Sequence, residues 1–152
     1  MPATVRPQAQ LTATAGMLVG IEIVAACAVS VADLDFGAYA SNSKTAVQGQ
    51  TTIQLRCGAG STAELFLDEG SGPGGSTSRR RLDKDSGKGT LDYDLFQDPG
   101  RTIHWGDRSG RDTLEVQTTG AQQSIPIYGQ IPAGQRAQEG SYSDTITIRV
   151  VY

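Results

Sequence analysis

Most of the residues on which site chemistry is usually built are scarce in this sequence. It contains one histidine, two cysteines and one tryptophan. A structural zinc site needs four nitrogen or sulfur donors held together, so three candidate ligands exclude one. An excess of either charge is also missing, since 13 Lys and Arg stand against 16 Asp and Glu for a net charge of −3. No global field therefore draws the chain to nucleic acid or to an anionic membrane. The longest apolar stretch, Met17 to Val31, is interrupted by Glu22 and punctuated by Gly20. It falls short of the roughly 20 clean residues that a spanning helix requires, which argues against membrane insertion. Residues 1–15 carry one cation, Arg6, with two prolines and several Gln and Thr, unlike the charged start and apolar centre of a secretory signal. Glycine, by contrast, is abundant, at 19 of 152 residues, with 38% hydrophobic and 19% charged residues. That balance is too apolar for disorder and too glycine-rich for a helical bundle, and it predicts a single β domain with many turns.

The hydrophobic pattern agrees. From Ala9 to Val31 every odd-numbered residue is apolar, while the even positions are mostly Gln, Thr, Gly, Glu and Ser. A period of two places one face in a core and the other in water, as in a half-exposed strand. Twenty-three residues would extend roughly 75 Å at about 3.3 Å each, so the segment must either break into two strands or partly leave the domain. Shorter units repeat the pattern. Ile53, Leu55 and Cys57 alternate with polar neighbours, as do Ala63, Leu65 and Leu67, Leu91, Tyr93 and Leu95, and finally Ile146, Ile148 and Val150. Turn clusters at 58–61, 70–78, 85–89 and 106–110 separate them, and an antiparallel β-sandwich is expected. Cys27 and Cys57 fall on the apolar faces of their strands. They form either a disulfide, worth about 3 to 4 kcal/mol for a loop of this length in an oxidising compartment, or two buried thiols.

Several chemical motifs dissolve on inspection. Gly70, Gly72 and Gly75 have dinucleotide-loop spacing, but Pro73 interrupts them and no amphipathic helix follows. His104 has no presented serine nucleophile near it in sequence and reads as a loop residue beside Trp105. Arg79, Arg80 and Arg81 are followed by Asp83 and Asp85 and read as a solvated loop face. The acidic residues match no calcium loop. No catalytic residue, cofactor site or metal site is assigned.

Several motifs occur together in order: Ala26-Cys27-Ala28-Val29-Ser30, Leu34-Asp35-Phe36-Gly37-Ala38-Tyr39, Ile53 to Cys57, Leu91 to Asp98 leading to Trp105-Gly106-Asp107, Ile125-Pro126-Ile127-Tyr128-Gly129-Gln130-Ile131-Pro132 with Gln135, and Gly140-Ser141-Tyr142-Ser143-Asp144-Thr145 before the last strand. With them the chain, from about residue 17 to its end, resembles the spore coat protein U domain family, the subunit type of archaic chaperone-usher pili. The resemblance implies an incomplete immunoglobulin-like sandwich completed by donor-strand exchange. It also implies export through the periplasm to a surface fimbrium, partners comprising neighbouring subunits, a periplasmic chaperone and an outer-membrane usher, and a role in adhesion and biofilm formation without enzymatic activity. On this reading residues 1–16 are a signal remnant or a disordered start, 17–24 a donor strand and 25–152 the sandwich. By register before Cys27, Met17, Val19, Ile21 and Ile23 are the expected groove-filling residues. The competing expectation is a secreted, self-complemented module whose Trp105 loop and tyrosines contact a carbohydrate or surface.

Overall fold

The long alternating segment breaks into two strands. The computed structural model describes residues 11–19 and 27–152, and in it β1 is Leu11–Val19 and β2 is Cys27–Val31. The strand thus starts at Leu11, six residues before the boundary expected from sequence, because the apolar register already runs unbroken through Leu11, Ala13 and Ala15. Then follow β3 (Leu34–Ala38), β4 (Val47–Cys57), β5 (Thr62–Leu67), β6 (Arg80–Lys84), β7 (Thr90–Phe96), β8 (Leu114–Gln117), β9 (Gln122–Ile131) and β10 (Gly140–Val151). Among the described residues there is no helix.

The strands form an immunoglobulin-like sandwich. One layer runs β2-β4-β9-β7, and the other is built around β10, with β6 and β5 on one side, β8 beyond β5, and β1 then β3 on the other. β7 joins the layers: its first half pairs β6 and its last residues pair β9. Every pairing is antiparallel except that of β1 with β10. The alternating residues of both layers meet in one core that includes Met17, Leu34, Ile53, Leu55, Leu65, Leu91, Tyr93, Ile127 and Ile146. Pro126 sits within β9, where a proline would ordinarily break a ladder. It is accommodated because β7 pairs only with residues 128–130, leaving β4 as the single neighbour at that point.

Gly49 and Gly129 are paired with each other across β4 and β9 within one layer. Leu34 and Phe36 of β3 press into the space that side chains would fill there: a Cβ on Gly129 would stand 2.8 Å from the tip of the Phe36 ring. Cys27 and Cys57 are bonded to each other and are directly opposed across β2 and β4. The disulfide therefore staples two neighbouring strands of one layer and does not bridge the layers.

One sequence reading is overturned. Arg79–Arg81 is not a solvated loop face, because Arg80 begins β6 and is completely buried. Its guanidinium donates to the carbonyls of Asp68 at 2.8 Å, Leu67 at 3.1 Å, Thr77 at 3.1 Å and Trp105 at 2.7 Å. A cation with that many fixed acceptors can be desolvated, and burial still lowers its pKa.

Candidate functional site

The feature that stands apart is the slot occupied by β1. Strand β10 presents Tyr142, Asp144, Ile146 and Ile148 inward, all buried. β6 and β5 pair one edge of β10, through Tyr142↔Lys84 and Ser143↔Asp83 and through Ile148↔Leu67 to Val151↔Glu64. The other edge is taken by β1, which runs parallel from Leu11↔Gly140 to Val19↔Ile148. The far edge of β1 is antiparallel to β3, through Thr12↔Ala38, Thr14↔Asp35 and Ala15↔Leu34, with a bulge between Thr12 and Thr14. β1 is thus held on both sides, by the first regular strand after β2 and by the last strand of the chain. Removing it would leave two unpaired edges and an open apolar core, the combination that soluble proteins cover or blunt.

The register shows how the segment fits. Ala13, Ala15, Met17 and Val19 are opposite Tyr142, Asp144, Ile146 and Ile148. Met17 is fully buried in the common core with Leu34, Phe36 and Ile146, and removing such a side chain typically costs about 2 to 5 kcal/mol. Of the four groove-filling residues expected from sequence, Met17 and Val19 lie in β1, while Ile21 and Ile23 lie outside the described residues. The walls of the slot are Leu34 and Phe36 from β3 with Ile146 and Ile148 from β10, residues that the sequence marks as motif and strand positions without showing that they face β1. The signal was available in the odd-even burial of β10, but periodicity gives a face and not the strand that covers it.

A polar network sits at the middle of the slot's length. Asp144, opposite Ala15 in register, accepts hydrogen bonds from Tyr93 Oη at 2.5 Å, from the Ser71 amide at 2.7 Å and hydroxyl at 3.1 Å, and from the Gly72 and Thr145 amides at 3.0 and 2.9 Å. Burial raises the pKa of the carboxyl, and these donors oppose the rise. Burial also raises the Tyr93 phenol, with the adjacent carboxylate adding to it. Trp105 is also fully buried, its indole donating to the Leu65 carbonyl at 3.0 Å. The expectation that a Trp105 loop contacts a carbohydrate is corrected accordingly: the ring is a core residue, because its single donor finds a backbone acceptor inside the sandwich.

His104 is exposed, with Nδ1 3.7 Å from Asp94 Oδ1 and its ring 4.9 Å from Phe96. Among the described residues no group of three His, Cys, Asp or Glu is placed to hold a metal ion. The slot itself offers backbone hydrogen bonds and apolar volume, which is the chemistry of strand addition.

Comparison with known proteins agrees with this architecture. The model of the Spore Coat Protein U domain matches residues 13–149. Protein U of Myxococcus xanthus is 31% identical over 159 residues, covering 96% of this chain and 88% of that protein. Among solved structures, a chain of the CsuC-CsuE chaperone-tip adhesion subunit pre-assembly complex, from archaic chaperone-usher Csu pili of Acinetobacter baumannii, superposes with a TM-score of 0.58. That match covers 83% of this chain and 40% of the other at 20% identity, and it shows a shared fold.

Proposed function

This chain belongs to the spore coat protein U domain family, and on that basis we propose that it is a structural, non-enzymatic subunit of an archaic chaperone-usher pilus. It polymerises head-to-tail by donating its N-terminal strand, residues 17–24 with the contiguous stretch from Leu11, to the groove of the next subunit. The observation that carries the reading is the position of β1, a terminal strand seated between β10 and β3. Its described pairings are backbone ladders to β10 and β3, and the same ladders can form with the groove of a second copy. An exchange between copies that does not close on itself builds an open fibre. Before exchange the groove needs a temporary cover, the role of a periplasmic chaperone, and an outer-membrane usher is the matching route to a surface fimbrium serving adhesion and biofilm formation. The Cys27–Cys57 disulfide supports passage through an oxidising compartment. No helix of the described residues is long and apolar enough to cross a membrane.

A second reading is favoured by one observation: β1 here fills the groove of its own chain. A self-complemented, secreted binding module would look the same. The readings separate when the chain is refolded at rising concentration and examined by unheated denaturing gels and electron microscopy, alongside Met17→Asp. Donation predicts heat-sensitive ladders and thin fibres that Met17→Asp abolishes. A monomer at every concentration refutes donation. Deleting residues 1–23 gives a further contrast, since a donor-type subunit remains recoverable with a strand peptide of residues 11–23 added, and a self-contained module collapses regardless.

A further inference from the structure

A second feature lies on the opposite layer, away from the slot. The outward residues of β2, β4 and β9 align in rows, with Ala28 beside Arg56 beside Gln122, and Ser30 beside Gln54 beside Ser124. Around the first rows lies a depression of about 160 Å³ lined by Ala28, Val29, Ser30, Gln54, Arg56 and Gln122. No acidic side chain lines it, and Arg56 forms no ion pair among the described residues.

Its lining is weighted toward donors, with the Gln122 carbonyl oxygen and the Ser30 hydroxyl as the side-chain acceptors besides Gln54. Gln54 Oε1 accepts from Gln122 Nε2 at 3.0 Å and from Ser124 Oγ at 2.8 Å, which occupies both lone pairs of that carbonyl. The Gln54 amide nitrogen retains its two donors, Gln122 retains a second N–H, and Arg56 offers a guanidinium fork of five N–H groups. A wall rich in donors and carrying one unpaired cation suits a ligand rich in acceptors and carrying a carboxylate, for which arginine has the matching bidentate geometry. The volume equals that of roughly five waters at about 30 Å³ each, room for one sugar ring but not for a folded-over peptide segment. The Ala28 methyl, outward on β2, supplies an apolar contact for the C–H face of such a ring. From Arg56 the outward face of β4 continues through Gln54, Thr52, Gln50 and Gln48, about 26 Å at 3.3 Å per residue. Further amides are therefore in line for successive units of the same polymer.

We propose that this face is a binding site for an acidic polysaccharide, with the carboxylate of a uronate ring on Arg56 and its hydroxyl oxygens on Gln54, Gln122 and Ser30. The site is independent of the slot and present once per chain, so a monomer and a fibre carry it equally, and a fibre multiplies it by effective concentration.

The test is calorimetric titration of the full chain with trigalacturonate, with maltotriose as the neutral counterpart and hexaglutamate as the acidic peptide. Trigalacturonate is expected to bind, more weakly as salt rises, and at least tenfold more tightly than maltotriose or hexaglutamate. Arg56→Gln is expected to weaken it at least tenfold and Gln54→Leu several-fold, with the melting temperature unchanged for Arg56→Gln because that side chain is exposed. The proposal is overturned by no heat with trigalacturonate at millimolar concentration, by equal binding of maltotriose, by hexaglutamate binding as well or better, or by affinity unchanged in Arg56→Gln. Because binding is counted per chain, none of these outcomes depends on whether the protein polymerises.

Discussion

Replacing Gly129 with alanine tests the packing on which the groove depends. In a strand interior, Gly→Ala ordinarily stabilises by about 0.5 to 1 kcal/mol, because the glycine backbone has more freedom to lose on folding. Here the added methyl would meet Phe36 Cζ at 2.8 Å, Phe36 Cε1 at 2.9 Å and Leu34 Cδ1 at 3.2 Å. The contacting atoms belong to a ring that is itself packed edge-on against Tyr93, with centroids 5.8 Å apart, so it has little room to retreat. Overpacking of this kind costs about 1 to 3 kcal/mol, which set against the entropic gain leaves a net loss of up to about 2.5 kcal/mol. For a domain of this size each kcal/mol lowers the melting temperature by about 2 to 4 °C, so the expected fall is up to roughly 10 °C. Urea and thermal unfolding of the disulfide-intact chain measure it. Phe36→Leu shortens the offending side chain, and the double variant should be less destabilised than the two singles combined, by at least about 0.5 kcal/mol of coupling. A Gly129→Ala protein more stable than the parent, or strictly additive effects in the pair, would refute the claim that β3 is seated in the glycine gap.

Three further outcomes follow from described contacts. Arg80→Ala should destabilise by about 3 kcal/mol or more, since four carbonyls lose their donor inside the fold, and Arg80→Lys should recover only part of that loss in urea unfolding. Reduction of the Cys27–Cys57 bond, or its removal as a Cys27→Ala, Cys57→Ala double variant, should cost about 3 to 4 kcal/mol, read as a drop in the urea midpoint. Burial raises Asp94 to about 6, partly opposed by His104 and the neighbouring arginines Arg80 and Arg79, with Asp92 adding to the rise. A raised carboxyl favours the protonated fold, so its contribution is complete below about pH 4 and is lost as pH rises through 6. Asp94→Asn should flatten the stability profile across that interval, and an unchanged slope in a pH series of melting curves would contradict the assignment.

How far the sequence reveals this molecule depends on which partner each residue meets. Strands β4, β5, β7 and β10 were readable because each buries one face against the facing layer and leaves the other in water, so Ile53 to Cys57 and Ile146 to Val150 carry a period of two. β6 was not, since only Leu82 among its five residues is apolar and the burial of Arg80 depends on backbone carbonyls of separate loops. Trp105 misled for the same reason: its neighbours in sequence are polar turn residues, and its acceptor is 40 residues away at Leu65. The pairing of Cys27 with Cys57 was left open by the sequence and is settled by the direct opposition of β2 and β4. At the N-terminus, the unbroken odd-numbered apolar series showed that a strand exists while concealing its limits, because Ala13 and Ala15 look as much like the end of a leader as like the start of a strand. Which groove that strand enters is a matter of topology, and alternation contains no information about it.

The parallel ladder between β1 and β10 joins strands far apart in sequence, residue 11 to residue 140 and residue 19 to residue 148. Contacts so remote in sequence carry a high loop-closure cost and form late. Every other described pairing closes over a shorter separation, so β1 is the strand whose pairing with β10 stays open longest as the sandwich forms. An open cleft between β10 and β3 is therefore the expected last stage of folding, and on the proposed function it is the stage at which a strand from another molecule could enter instead.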